Sequence, residues 1–472
     1  MSLIIYLLSF LEGFVTLSIE IIAIRKFTPI VGANSISTSI ILGVILLALS
    51  YGYYIGGKNS KNKNQDEIKD KIIFNLSISS AFYLFFTFIF DIFILSKILN
   101  ATENYFISIL LSSFILFFIP IFLASQTIPL LSELLKGDNT GEKIGKLLFF
   151  STIGSFLGSV VTSTVLFSSI GVEKSATLNS FILSSLAICL IFITYKKIKI
   201  SYIVAIFTFL ISILLLTNKE ILNNNIIYKT SNSYHNLIIA NIENDKRVFF
   251  QNAGYASGID LNTGNSFFKY IIEIKNKLIE NRYENIAIIG AAGFTLPNEM
   301  SQFDFIKNID VVDIDGSLKE ISEKYFLEKN LSDKINFINE PSRYFLQNTI
   351  KNNKKYDAIV IDIYHGDSLP PQTLTLEFFQ NLKKISENIY INMITDNNLK
   401  SDFSKKLLNT MESSFGEIYY KDVNQYKQIN SKTNFVMTNL NLEGYEKYKK
   451  ENDLGIYTDD KHSIEIDLYK TR

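Results

Sequence analysis

The residues best placed to do chemistry lie at the ends of short apolar runs. In "ENIAIIGAAGFTLPNEM", Glu284 to Met300, the run Ile286 to Ile289 breaks into Gly-Ala-Ala-Gly and then into a helix-like segment. Gly290 and Gly293, flanking Ala291, would permit a tight turn and a close approach of backbone to a ligand. About 20 residues on, "NIDVVDID" ends in Asp313 and Asp315, either of which could accept hydrogen bonds from ribose hydroxyls or cap the helix that follows. Glu340 closes the run "KINFINE". Asp362 follows "AIVI", which leaves no room for a charge except at its end. A carboxylate there can anchor an ammonium, take a proton from an amine nucleophile, or serve as a turn acid. His365, three residues further, titrates near neutrality and could act as an acid or base, or hydrogen-bond within its own loop.

An alternation of strands and helices would bring these residues together. The spacing predicts strands at 286–289, 308–315, 334–340, 356–367 and 388–394, with helix-like segments "GSLKEISEKYF" and "TLEFFQNLKKI" between them. "EIYYKDV" and "TNFVMTNL" are expected to close the sheet as an antiparallel pair. Such a sheet binds ligands beyond the carboxyl ends of its strands, at the switch point. That rule gathers Gly290 to Gly293, Asp313, Asp315, Glu340 and Asp362 at one place. Upstream, residues 226–264 carry short apolar runs separated by Asn, Asp and Gly, and read as a small antiparallel β unit.

The first half of the chain is of another kind. Seven segments reach the roughly 20 apolar residues that a bilayer requires: 3–24, 35–57, 72–95, 104–126, 147–170, 176–195 and 199–217. Glu12, Glu20 and Asp91 are the carboxylates inside them; an intramembrane acid faces protein or water and either pairs or lines a polar path. Lys and Arg number about eleven in the loops after the even segments and about four after the odd ones, which places the N-terminus in the cytoplasm and, after seven crossings, the C-terminal domain outside. A formal charge of zero over 472 residues gives no global field for nucleic acid. The single cysteine, Cys189, excludes an intrachain disulfide and a Cys-based metal site.

Taken in order, "YHNLIIA", "RVFFQNAGYASGI", "IAIIGAAGFTLP", "VVDID", "YDAIVID" and "YTDDKHSIE" make residues 226–470 resemble spermidine synthase-like proteins. The membrane half, with "FLEGFVTLSIEIIAIRKF" and "SYGYYIGGK", resembles the transmembrane part fused to such domains in bacterial membrane proteins, and is similar to half of a major-facilitator transporter. The resemblance implies an α-helical transmembrane bundle (1–220), a small β unit (226–264), and an α/β Rossmann-like domain of the methyltransferase type (265–472). It implies an integral protein of the cell or inner membrane, partnered by lipid and by a small amine, with no nucleic acid and with a homodimer as the family precedent. Because adenosyl compounds are made in the cytosol, it implies a cytoplasmic soluble domain, against the loop charges.

The activity implied is aminopropyl transfer in polyamine biosynthesis. Decarboxylated S-adenosylmethionine is the donor, no metal takes part, and the amine of putrescine attacks the carbon beside the sulfonium. Residue by residue, Asp362 matches the family's proton acceptor and Asp313 its ribose-binding acid. His235 falls where a cofactor-binding glutamine sits, and Glu340 lies beside Pro341, which replaces the acid that contacts adenine. Phe268 replaces the substrate-side tyrosine and Lys269 the adjacent glutamine. The glycine loop lacks the family's aspartate, and after Asp362 the usual Ser-Ser-Asp-Pro is Ile-Tyr-His-Gly, putting His365 where the second amine-binding acid belongs. Asp367, Asp459 or Asp460 could substitute. A dication needs compensating carboxylates. The expectation is therefore a membrane-anchored transferase using S-adenosylmethionine or its decarboxylated form on a small amine. The alternatives are a ligand-binding domain coupled to a transporter or sensor, and an S-adenosylmethionine-dependent methyltransferase.

Overall fold

The computed structural model describes residues 2–31, 35–93, 98, 105–135, 139–194, 198–218, 225–242, 245–252, 254–364, 369–424, 432–450 and 454–470. The chain divides into two compact units, one within residues 1–233 and one mainly from Tyr234 to Arg472.

The N-terminal unit is a helical bundle. Six of its described helical stretches are long and apolar enough to cross a bilayer: Leu3–Thr28, Ser35–Ser60, Gln65–Phe88, Phe106–Leu134, Thr140–Thr194 and Ile200–Thr217. The fifth would run to about 80 Å as one straight helix, far beyond a hydrocarbon core of about 30 Å. It is broken at Gly171, whose φ of 79° and ψ of 173° are not helical and suit only glycine. The fifth and sixth segments read from the sequence are the two sides of that break. This architecture is consistent with a multi-pass membrane protein.

Glycines bring two of these helices into backbone contact. A Cβ on Gly154 or Gly158 would lie 1.9 Å from the Phe10 carbonyl oxygen or 2.1 Å from that of Phe14. Small residues four apart are how apolar helices pack when water supplies no drive for association. Polar side chains add to the contact. Ser18 Oγ accepts from Thr162 Oγ1 at 2.7 Å and from Asn179 Nδ2 at 2.8 Å. Glu12 is buried and accepts from Thr16, one turn on, at 3.1 Å. The side chain of Asp91 lies outside the described residues.

The second unit opens with a four-stranded antiparallel sheet, β1 (Ile226–Ser231), β2 (Asn236–Ile242), β3 (Lys246–Gln251) and β4 (Gly254–Asp260), in sequential order. An eight-stranded sheet follows. Its strands are β5 (Asn285–Ile289), β6 (Asn308–Asp313), β7 (Ile335–Asn339), β8 (Ala358–Ile361), β9 (Ile389–Asp396), β10 (Tyr419–Asp422), β11 (Lys432–Thr438) and β12 (Glu446–Lys447). The order across it is β12-β10-β11-β9-β8-β5-β6-β7. Strands β5 to β9 run parallel, and β11, β10 and β12 are added beyond β9 by successive antiparallel pairings. The parallel strands read as continuous apolar runs because helices cover both faces. Phe378, Leu382, Leu407 and Met411 fill one side, and Ile274, Leu278, Phe294 and Phe326 the other. The chain starts in the middle, at β5, and winds outward in both directions. This is the doubly wound α/β plan with its switch point between β5 and β8.

Candidate active site

Strand register sets the site. Ile289 of β5 lies beside Val312 of β6 and beside Ile361 of β8. The next residue out on each of three neighbouring strands is therefore Gly290, Asp313 and Asp362. Glu340 follows β7, whose Asn339 pairs with Asp313. These tips open on a cavity of about 900 Å³ lined by Gly290, Asp313, Glu340 and Asp362, and also by His235 and Phe268. Such a volume accommodates a nucleoside-sized molecule together with a small second substrate.

Gly290 is required by its neighbour. Its φ is +106°, and a Cβ there would meet the backbone oxygen of Asp362 at 2.1 Å. Two strand tips can converge at the crevice because one of them carries no side chain. Ala291 and Gly293 have different places. Ala291 is 5% exposed and donates its N–H to Asp313 Oδ2 at 2.9 Å. Gly293 donates to Ser257 Oγ at 3.0 Å, and a Cβ on it would strike the Phe326 ring at 2.4 Å. Both shape the loop from behind and neither lines the cavity.

Asp313 and Asp315 separate into two roles. Asp313 reaches the cavity and takes the N–H groups of Ala291 and Asp315, the second at 3.0 Å. Burial pushes its carboxyl up to about 6, against the pull of those N–H groups. Asp315 is buried and accepts from the backbone N–H and hydroxyl of Ser317 at 3.0 and 2.6 Å. Asp315 thus closes the turn before the helix Leu318–Ile321, whose N-cap is Ser317, and does not cap that helix itself.

Asp362 sits in a prepared setting. Its Oδ2 accepts from the Tyr270 hydroxyl at 2.8 Å and its Oδ1 from Asn392 Nδ2 at 2.7 Å. Burial raises its carboxyl above the usual carboxylate range, and the two donors oppose that shift. Asn392, 2% exposed, lies on β9 next to Ile391, which pairs with Ile361. Its Oδ1 accepts from Asn434 Nδ2 on β11 at 2.9 Å, and Asn434 Oδ1 accepts from Asn424 Nδ2 at 3.0 Å. The tip of β9 is tied down by Tyr364, whose hydroxyl accepts from the Ile394 N–H at 2.6 Å. Tyr270 and the asparagine row were not singled out in the sequence. The available signal was an asparagine inside each of two otherwise apolar strands, "IYINMI" and "TNFVMT".

His365 and Asp367 lie outside the described residues. Asp459 is held by an Arg343 fork, with Nη1 to Oδ2 at 2.7 Å, and by the Thr375 hydroxyl at 2.6 Å; it does not line the cavity. The Arg343 contact holds its carboxyl below the ordinary value. Among the described residues no group of three His, Cys, Asp or Glu side chains is arranged to hold a metal.

The doubly wound sheet with a crevice at its switch point is the arrangement in which open α/β sheets place their ligand sites. Residues 269–438 match the spermine/spermidine synthase domain family. A polyamine aminopropyltransferase of Vibrio vulnificus is 26% identical over 157 residues, covering 32% of this chain and 51% of the relative. One from Oceanobacillus iheyensis is 20% identical over 245 residues, covering 48% and 46%. The chain thus spans about half the length of the curated relatives it matches. Among solved structures it is similar to the spermidine synthase of Thermotoga maritima, with 14% identity, a TM-score of 0.38, and coverage of 52% of this chain and 83% of that one. The C-terminal half therefore carries a spermine/spermidine synthase domain, distantly related to polyamine aminopropyltransferases and joined to an N-terminal region of long apolar helices.

Proposed function

We propose that this protein is a membrane-anchored transferase that moves an alkyl group from an S-adenosyl sulfonium donor to the nitrogen of a small amine. The observation that carries the reading is Asp362, held at the switch point by Tyr270 and Asn392 with its acidity weakened by burial. A carboxylate moved toward neutral pH is suited to receive a proton.

The site's residues fit such a donor. Asp313 and Glu340, on the β6–β7 side, can accept from sugar hydroxyls, and Ile314 and Pro341 offer apolar surface for a base. The donor's sulfonium makes the adjacent carbon electrophilic. The amine nitrogen bonds to that carbon as the carbon–sulfur bond breaks, and its electron pair leaves on sulfur as a neutral thioether. The proton shed by the new ammonium goes to Asp362. This chain's contribution is to orient the nitrogen, favour the Asp362 anion through two hydrogen bonds that oppose the effect of burial, and limit water in the crevice.

Purified full-length protein given the decarboxylated or the ordinary donor with small amines is expected to release thioether and alkylated amine together, read by mass spectrometry. Donor binding without product from any amine would replace this reading with that of a ligand-binding domain.

A further inference from the structure

Beyond Asp362 the cavity wall changes character. On the β6–β7 side stand Asp313 and Glu340; on the β9–β11 side stand amides and a lysine. Asn392, Asn434 and Asn424 form a row in which each Nδ2 donates to the next Oδ1 toward the sheet centre, ending on Asp362 Oδ1. Asn392 and Asn434 lie diagonally across the β9–β11 pair, on one face, since Asn392 pairs with Val436 and Asn434 with Ile394. At the far end Lys269 lines the cavity and places Nζ 3.5 Å from the Asn424 carbonyl oxygen.

That ammonium stands in an unusual place. Lys269 is the first residue of the helix Lys269–Glu280, whose start, at Phe268, has no side-chain cap. A cation at the positive end of a helix dipole is disfavoured unless an anion joins it. Lys269 is exposed and, at this end of the cavity, offers a cation with which a carboxylate could pair, with Asp422 accepting from the Asn424 N–H at 3.0 Å in the adjoining turn, whereas a diammonium acceptor would place its second cation against Lys269. Resting on the transferase reading, we propose that Lys269 and the amide row form a subsite for a carboxylate carried by one of the two substrates. The carboxylate would belong either to an ω-amino acid acceptor or to the aminocarboxypropyl chain of an intact S-adenosylmethionine donor. The bond changes are those given above and balance in both cases: nitrogen–carbon forms, carbon–sulfur breaks, and Asp362 takes the proton.

The test crosses two donors with two acceptor series in full-length protein. The donors are S-adenosylmethionine and its decarboxylated form; the acceptors are α,ω-diamines and ω-amino carboxylates matched in chain length. Product masses and kcat/KM are measured for wild type, Lys269→Met and Lys269→Glu, with thermal midpoints in detergent as the folding control. Higher kcat/KM for a carboxylate-bearing substrate supports the subsite, and the arm in which it occurs assigns the carboxylate to donor or acceptor. In that arm Lys269→Glu should cut the preference at least about tenfold, with Lys269→Met between, because reversing the charge turns attraction into repulsion. Wild-type preference for the decarboxylated donor with a diamine overturns the inference and leaves the transferase reading standing. So does a preference that neither variant moves while the fold is intact. No product from any pair overturns both.

Discussion

Replacing Tyr270 by Phe removes a single oxygen from the site. In the wild type that hydroxyl donates to Asp362 Oδ2 at 2.8 Å, and Asn392 serves the other oxygen. Burial already holds the Asp362 carboxyl above its ordinary value, and the Tyr270 hydrogen bond opposes that shift because it favours the anion. A hydrogen bond to a charged group contributes about 1.5–3 kcal/mol, and 1.36 kcal/mol corresponds to one pKa unit. Tyr270→Phe should therefore raise the Asp362 pKa by about one to two units. If Asp362 must be ionised to accept the proton, the acid limb of the kcat/KM–pH profile moves to higher pH by the same amount. Activity then falls about 10- to 100-fold on that limb and recovers toward wild type well above it. The assay is product formation from about pH 5 to 9.5 at saturating donor. An unmoved limb, a limb moved to lower pH, or an equal loss at every pH would refute the reasoning; the last would make Tyr270 only a packing residue.

Further outcomes follow from other positions. Gly290→Ala should destabilise the domain by about 2–5 kcal/mol, from left-handed strain plus the clash with the Asp362 carbonyl, and lower the thermal midpoint of its unfolding in full-length protein. Asp313, raised from 3.8 to about 6, contributes stability that is full below about pH 3.8 and lost as pH rises through about 6. The stability of wild type relative to Asp313→Asn should accordingly fall by roughly 3 kcal/mol across that window and level off above it, read by thermal unfolding at a series of pH values. In the bundle, Gly158→Leu should lower thermal stability in detergent by forcing residues 14 and 158 apart, whereas Gly145→Leu, with nothing within 4 Å of its Cβ, should not.

The sequence made some parts of this architecture legible and hid others, for physical reasons. Apolar runs that end in an acid mark parallel strands, because a buried strand admits charge only at its tip; β6 and β8 were visible that way. The antiparallel closure was visible in "EIYYKDV" and "TNFVMTNL", which became β10 and β11. The bilayer-length segments were visible because their composition alone sets them apart. What stayed hidden depends on register. The row Asn392–Asn434–Asn424 joins residues up to 42 positions apart, and no local pattern links them. The reach of Tyr270 to Asp362 spans 92 positions. Of the glycine loop, Gly290 and Ala292 line the cavity while Ala291 and Gly293 do not, an alternation set by the backbone path rather than by residue type. In "VVDID" the strand ends at Asp313, which stands at the crevice, whereas Asp315 lies past the strand in the turn to the next helix, a division that only the backbone path decides.

The most direct test of Asp362 as the proton acceptor compares wild type with Asp362→Asn in a single experiment. Donor affinity is measured by titration, and thioether and alkylated amine are quantified from the same full-length preparations. The account predicts donor affinity within about threefold of wild type, equal amounts of thioether and alkylated amine from wild type, and a loss of product on the order of 100- to 10,000-fold in the variant. Turnover within a few-fold of wild type in Asp362→Asn, or thioether released without alkylated amine, would contradict it.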